Sequence, residues 1–258
     1  ESLPDMKSID IFAEHKGNYS LNDKVFNAHQ KCANGNDKMV YYVASRFNLP
    51  KNFKDMVYLS QVTQNECIAD ATEHWRRNKG RCNGSMYWQL NDCWGVCSWS
   101  SIDYYGNYKA LQYGARHFNA PVSVSIENTE EYIKLFVLND LKEKQDVTVT
   151  YDIFDFVSGT KQSDKKDVSI DAVKNELVFE LDVKSLAKAY DLKRTGVAVK
   201  LFKNGELLQQ KTVLFDKEKK LNLPKAKLKT RIEIKEDRLD ITVKSDAYAR
   251  LVKLESAD

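Results

Sequence analysis

Near residue 120 the apolar residues change their period, and that change limits the chain to two kinds of structure joined end to end. Before Phe118 they recur at helical spacing, and from Ala120 they recur every second residue. A pattern with a helical period does not settle as a strand, nor the reverse. The expected fold class is therefore multidomain, an α/β part followed by all-β parts.

In the first part, Leu21–Cys32 follows Ser20, a good N-cap residue, and stops before Asn34-Gly35. Asp37–Phe47 follows Asn36 and ends before Leu49-Pro50. From Phe53 to about Arg77 no Gly or Pro interrupts the chain, and Phe53, Met56, Val57, Leu59 and Val62 suit one buried face. Lys79-Gly80 closes that stretch. GSMYWQL (84–90) reads as a short buried strand, a Trp- and Ser-rich loop follows, and Tyr108–Phe118 reads as an amphipathic helix. Strand, functional loop and helix form the unit on which α/β barrels carry their sites. One strand cannot close a barrel. Residues 1–119 are accordingly expected to be the last part of a (β/α)8 barrel, with its last strand about 84–90 and last helix about 108–118. The missing strands are expected upstream of Glu1.

After residue 120, VSVSI (122–126), YIKLFVL (132–138), VTVTYDIFDF (147–156), ELVFELDV (176–183), GVAVKLF (196–202) and LLQQKTVLF (207–215) alternate or run apolar. Asn204-Gly205 is a hairpin signal between the last two. Short strands at this density predict an immunoglobulin-like β-sandwich over 120–215. Residues 216–225 read as a linker. LKTRIEIK (228–235) and RLDITVKS (238–245) read as a hairpin, and YARLVKLE (248–255) as a third strand. Three strands are too few for an independent sandwich, so 216–258 is expected to be a linker and the start of a further β-sandwich.

Hydrophobic residues at 42% and charged residues at 30% exclude disorder of the whole chain. Forty Lys and Arg against 37 Asp and Glu leave a net charge of +3, which offers no footprint for nucleic acid. There is no run of 18 apolar residues, so no membrane span is expected. The five cysteines all fall by Cys97, and an odd number without a regular framework favours free thiols, hence a cytoplasmic location. Cys93 and Cys97 lack a second pair or a histidine at ligand spacing, so neither a metal nor a cofactor is expected.

Three of the four tryptophans, Trp88, Trp94 and Trp99, lie within twelve residues, with Tyr87, Tyr104 and Tyr105 beside them. Gln89, Asn91, Asp92, Ser98, Ser100, Ser101 and Asp103 are interleaved. A sugar ring presents an apolar C–H face and a belt of hydroxyls, so its site needs flat aromatic surface together with amides and carboxylates. Packing is the better reading of Tyr87 and Trp99, while Trp88 divides evenly between core and site on composition alone. Asn91-Asp92 also suits a turn that ends a strand. His15, His29, His74 and His117 are isolated and read as surface or structural residues. Glu66, Asp70 and Glu73 read as solvated or capping charges.

GSMYWQLNDCWGVCSWSSIDYYGNYKALQYGARHFNAPV (84–122) closely resembles the segment around the eighth barrel strand of β-mannosidases in glycoside hydrolase family two. EHWRRNKGRCNGSMYWQ (73–89) extends the likeness upstream, and LNLPKAKLK (221–229) and LDITVKSDAYAR (239–250) resemble the start of that family's last β-sandwich. Gly95 stands where relatives usually carry proline. The resemblance implies a retaining exo-hydrolase of terminal, non-reducing β-linked mannose that uses two glutamates about 5–5.5 Å apart. ESLP (1–4) is similar to the tail of the family's nucleophile motif, which puts Glu1 four residues after the nucleophile. Both catalytic glutamates would then lie upstream, so no catalytic residue is expected in this chain, and its expected partners are β-mannosides and the N-terminal remainder of the enzyme. The resemblance makes Trp88 the platform under the terminal sugar, with a cis Trp88–Gln89 peptide. Asn91, Asp92 and Trp94 follow as further substrate-binding residues. A β-galactosidase or β-glucuronidase of the same family, and a non-catalytic carbohydrate-binding or interaction module, remain as alternatives. The pattern WQLND-x-W favours mannose.

Overall fold

The computed structural model describes residues 1–14 and 18–255; His15 lies outside them. The chain divides into two compact units. One comprises Glu1–Glu127, Ile133–Asp146 and Ser169–Glu180, and the other Asn128–Tyr132, Val147–Val168 and Leu181–Asp258. The helices are α1 (Met6–Phe12), α2 (Lys24–Ala28), α3 (Gly35–Arg46), α4 (Phe53–Arg77), α5 (Ala110–Phe118) and α6 (Val183–Ala189). The strands are β1 (Val122–Asn128), β2 (Tyr132–Asn139), β3 (Gln145–Asp155), β4 (Gly159–Ile170), β5 (Lys174–Asp182), β6 (Thr195–Lys203), β7 (Glu206–Leu214), β8 (Leu228–Ile234) and β9 (Leu239–Ser245).

In the first unit, α4 spans the residues its periodicity predicts. Asn52 caps it, its side-chain oxygen accepting the Asp55 N–H at 2.8 Å, which satisfies one of the donors a helix start leaves open. Met56, Val57 and Val62 are buried as expected, whereas Phe53 and Leu59 are only half-buried. α5 approaches α4 closely: a Cβ on Gly114 would fall 1.6 Å from the Asn65 side-chain oxygen, so any larger residue there requires that amide to move. At the end of α4 the Arg76 guanidinium donates to Phe118 O (2.6 Å), Ala120 O (2.8 Å), Ser123 Oγ (3.1 Å) and Asp140 (2.8 Å). Asn175 donates to Arg77 O at 2.6 Å. These bonds tie the helix to a three-stranded sheet of order β1-β2-β5.

Several expectations for this unit are corrected. The helix predicted over Leu21–Cys32 is five residues long. Ser20 does not cap it: its Oγ accepts from Asn22 N–H at 3.3 Å, and its own N–H goes to Asp23, so a local turn wins over the helix. α3 starts inside the Asn34-Gly35 pair that reads as a stop, with Asn34 taking a left-handed φ of 57°. α1, capped by Asp5, is too short to show a period.

Residues 84–90 form no strand, and the chain bends at Trp88 and Leu90. Their backbone bonds reach only a neighbouring loop, for example Gln89 N–H to Trp99 O at 3.2 Å and Ile102 N–H to Leu90 O at 2.8 Å. Met86, Trp88 and Leu90 are 97%, 71% and 57% exposed, so the run is not buried. A strand exists through ladder bonds to neighbours, and among the described residues before 120 there are only isolated bridges. The barrel is thus not visible in this chain.

The second unit carries a four-stranded sheet of order β4-β3-β6-β7. Val149, Ile153, Val197, Val199 and Leu201 are buried at every second position along β3 and β6. Asn204 and Gly205 both have positive φ, 52° and 81°, between the paired Lys203 and Glu206, as a two-residue hairpin turn of the primed type requires. Seven strands divided three and four are the strand complement of an immunoglobulin-like domain. β4 is missed by hydropathy because GTKQSDKKDVSI is exposed over all but its last residues, Val168 and Ile170. It is an edge strand, kept polar as edges are, and held by Thr148 to Asp167 (2.6 Å) and Ser163 to Asp152 (2.5 Å). α6, capped by Asp182, is likewise unforeseen.

The hairpin β8–β9 forms as predicted, with Ile232 opposite Ile241 and Ile234 opposite Leu239. The strand expected over 248–255 is absent. Side chains pin that segment instead: Tyr248 stacks on Phe156 with centroids 5.2 Å apart and donates its N–H to Phe156 O, and Arg250 pairs with Glu218 at 2.8 Å.

Candidate functional site

The aromatic loop is built outward from α4. Ser60, Gln61 and Gln64 are buried on that helix, where apolar residues would be expected. Ser60 Oγ accepts the Leu3 N–H (3.1 Å), and Gln61 Nε2 donates to Leu3 O (3.1 Å). The Gln64 amide accepts from Ser2 Oγ (2.6 Å) and donates to Trp99 O (2.7 Å). Residues 2–3 in turn bridge to the loop, with Ser2 N–H on Ser98 O at 2.9 Å and Ser98 N–H on Ser2 O at 3.3 Å. A second bridge joins the loop to the residues after α2, Cys97 N–H donating to His29 O at 2.8 Å and Lys31 N–H to Cys97 O at 3.3 Å.

On this frame the indole of Trp88 stands in solvent, and the Trp88–Gln89 peptide is cis. Asn91, three residues on, is also exposed. Asp92 is turned the other way and is 8% exposed. One of its oxygens accepts from Gln89 Nε2 (2.9 Å), and the other from the hydroxyls of Ser98 (2.9 Å) and Ser100 (2.5 Å). Both carboxylate oxygens are therefore occupied in holding the loop. Trp94 is 36% exposed and stacks on His29 at 4.9 Å, His29 stacks on Phe12 at 4.7 Å, and the Lys31 ammonium lies 5.4 Å from the Trp94 ring centre. Tyr87 packs inward, its hydroxyl 3.0 Å from Ser101 Oγ and its ring edge-on to Phe118.

Beneath the loop lies Lys109, which is fully buried with its ammonium 3.4 Å from both Ser2 O and Ser98 O. Burial pushes its pKa down to about 8, against the pull of Asp92, Cys97, Asp103 and Glu1. Burial pushes the Cys97 thiol up to about 12, with Lys109 acting in the opposite direction. Asp103 is buried and accepts from Ser8 Oγ (2.5 Å), Asp5 N–H (3.2 Å), Tyr105 N–H (3.1 Å) and Asn107 N–H (3.0 Å). Burial also raises the Glu1 carboxyl above its ordinary value.

Of the residues singled out by sequence, the structure leaves Trp88, Asn91 and Trp94 accessible and turns Asp92 inward as their support. Sequence reasoning missed Ser60, Gln61, Gln64 and Lys109, while His29, read as a surface or structural residue, stacks on Phe12 and Trp94. The one available signal was the polar set Ser60, Gln61 and Gln64, which interrupts an apolar helix face at helical spacing. All five cysteines are free thiols. Two exposed indoles and an amide on a hydrogen-bonded loop suit a ring with one apolar face and many hydroxyls.

The family described as Mannosidase Ig/CBM-like domain matches residues 131–220. A β-mannosidase of Bos taurus is 43% identical over 106 residues, which is 36% of this chain and 12% of that protein. A β-mannosidase of Capra hircus is 32% identical over 164 residues, 58% of this chain and 18% of that protein. The chain thus spans less than a fifth of the length of these relatives. The crystal structure of β-D-mannosidase from Dictyoglomus thermophilum superposes with a TM-score of 0.87 at 28% identity, covering 95% of this chain and 30% of that one. The Amycolatopsis orientalis exo-chitosanase shares the fold at a TM-score of 0.70 and 15% identity, over 97% of this chain and 34% of that one. Residues 131–220 thus carry a Mannosidase Ig/CBM-like domain, and the chain as a whole is similar to parts of β-mannosidases.

Proposed function

We propose that this chain supplies the sugar-binding wall of a retaining exo-glycosidase that releases terminal β-linked mannose. The observation that carries the reading is Trp88: a large indole held in solvent on a backbone braced by Gln89, Asp92, Ser98 and Ser100. Trp88 stacks under the mannose ring, Asn91 meets its hydroxyls, Trp94 extends the aromatic surface, and Asp92 fixes the loop that presents them. Retaining hydrolysis needs two carboxyl groups about 5–5.5 Å apart, one as nucleophile and one as acid and base. Asp92, the acid nearest Trp88 in sequence, has both oxygens engaged and takes neither role, so that pair comes from other parts of the enzyme. In this reading residues 1–119 are the end of a (β/α)8 barrel, 120–215 the immunoglobulin-like sandwich, and 216–258 a linker and the start of another. The test assays the 258-residue chain alone and the longer protein that contains it with aryl β-mannoside and aryl β-galactoside. Cleavage of the mannoside by the longer protein only is expected. Turnover by the isolated chain, or preference for the galactoside, would overturn the reading.

A further inference from the structure

Three Asn-Gly pairs occur in the chain, at Asn34-Gly35, Asn83-Gly84 and Asn204-Gly205. A glycine carries no side chain to shield its backbone nitrogen, so that nitrogen can attack the amide carbon of a preceding asparagine. The structure treats the three pairs differently. Gly35 is buried at the start of α3, and its N–H donates to Cys32 O at 2.9 Å, which holds it away from such an attack. Asn204 and Gly205 are fixed at left-handed φ between the paired Lys203 and Glu206, and rotating either would break the hairpin of β6 and β7.

Asn83 and Gly84 lie beyond the end of α4, outside every helix and strand, and both are exposed. Among the described residues no backbone acceptor meets the Gly84 N–H. A Cβ on Gly84 would meet nothing within 4 Å, so the space around it is open. The Asn83 side chain, by contrast, is held. Gly80, at a φ of 96°, donates its N–H to Asn83 Oδ1 at 2.8 Å. Such a bond draws density from the amide carbon and stabilises the charge that gathers on its oxygen under attack.

We infer that Asn83 is a site of spontaneous deamidation in the folded protein, with Gly84 as the internal nucleophile. The Gly84 nitrogen bonds to Asn83 Cγ, and its proton passes through water to the side-chain nitrogen. The bond from Cγ to that nitrogen breaks, and ammonia leaves a cyclic imide. Water then adds to one of the two imide carbonyls and releases the Gly84 nitrogen from it. Opening at Cγ gives aspartate, and opening at the main-chain carbonyl gives isoaspartate. Either product places a carboxylate at residue 83, and isoaspartate also lengthens the main chain by one carbon, five residues before Trp88. No oxidant, metal or second enzyme takes part, and the inference stands apart from the function proposed above.

The test incubates the full protein that contains this chain at mildly alkaline pH, beside a sample unfolded in urea. Both are digested at mildly acidic pH and followed by peptide mass spectrometry. In the folded sample the Asn83 peptide should gain about one mass unit at least about tenfold faster than the Asn34 and Asn204 peptides, with isoaspartate among its products. In urea the three rates should converge to within about threefold, because the fold no longer separates them. Gly84→Ala fits the open space without a left-handed φ, so it should keep the melting curve and slow the Asn83 reaction by about tenfold or more. An Asn83 that reacts in urea but not in the folded protein would overturn the inference. So would Asn34 or Asn204 reacting as fast as Asn83 in the folded protein, or an unchanged rate in Gly84→Ala.

Discussion

Lys109 and Cys97 are buried under the aromatic loop and titrate in opposite senses, which gives the chain a characteristic dependence of stability on pH. The Lys109 ammonium has its pKa lowered from 10.5 to about 8 by burial. Between those values the unfolded chain binds a proton that the folded chain has released, so stability rises with pH across the window. At about 1.36 kcal/mol per unit the full rise is roughly 3 kcal/mol. The Cys97 thiol is raised from 9.0 to about 12, so above 9 the unfolded chain loses a proton that the folded chain keeps. Its contribution therefore falls with pH, by roughly 4 kcal/mol over the whole window. From these two groups the parent should gain stability between 8 and 9 and change little up to about 10; above that the Tyr58 and Tyr151 hydroxyls, raised by burial, add to the fall. Cys97→Ala removes the fall that begins at 9, so the rise should continue to about 10, where Tyr58 and Tyr151 begin to oppose it. Lys109→Met removes the rise and leaves no carbonyl unpaired, because Ser2 O and Ser98 O still accept from each other's N–H. Urea unfolding followed by tryptophan fluorescence, at several pH values from about 7 to about 11, measures all three proteins. If Lys109→Met shows the same slope between 8 and 9 as its parent, or Cys97→Ala shows none, the assignment of these groups is wrong.

The remaining predictions concern the loop and the helix pair that supports it. Trp88→Ala should cost less than about 0.5 kcal/mol of stability, since the indole is 71% exposed, yet lower kcat/KM on a β-mannoside by about tenfold to a hundredfold. Steady-state kinetics on the longer protein, with a melting curve as control, separate the two effects. Asp92→Asn removes the charge and one acceptor oxygen, so the Ser98 and Ser100 hydroxyls must turn to accept from the new amide, and should cost about 1–3 kcal/mol in chemical unfolding, more than an exposed carboxylate would. Gly114→Ala would drive a methyl into the Asn65 side chain and should cost about 1–3 kcal/mol, a cost that Asn65→Ala in the same chain should relieve; an unchanged unfolding midpoint would mean that the Asn65 amide swings aside freely.

What the sequence determined by itself are the features written in local pattern. The extent of α4, the alternation in β3 and β6 and the turn at Asn204-Gly205 were legible because one face is buried or one backbone conformation is demanded. The aromatic content of the loop was also plain, since Trp88, Asn91 and Trp94 lie together in the chain. The tertiary structure decided the rest. β4 shows no apolar face to read, because it is an edge strand open to water, and residues 84–90 have strand composition but no neighbour to complete a ladder. Asp92, His29 and Lys109 take their roles from partners that composition cannot announce: Lys109 reaches Ser2 across 107 positions, and His29 reaches Gly95 across 66. Hydrophobic period reports which side of an element is dry, but the direction of a polar side chain is set by donors and acceptors brought near only when the chain has folded.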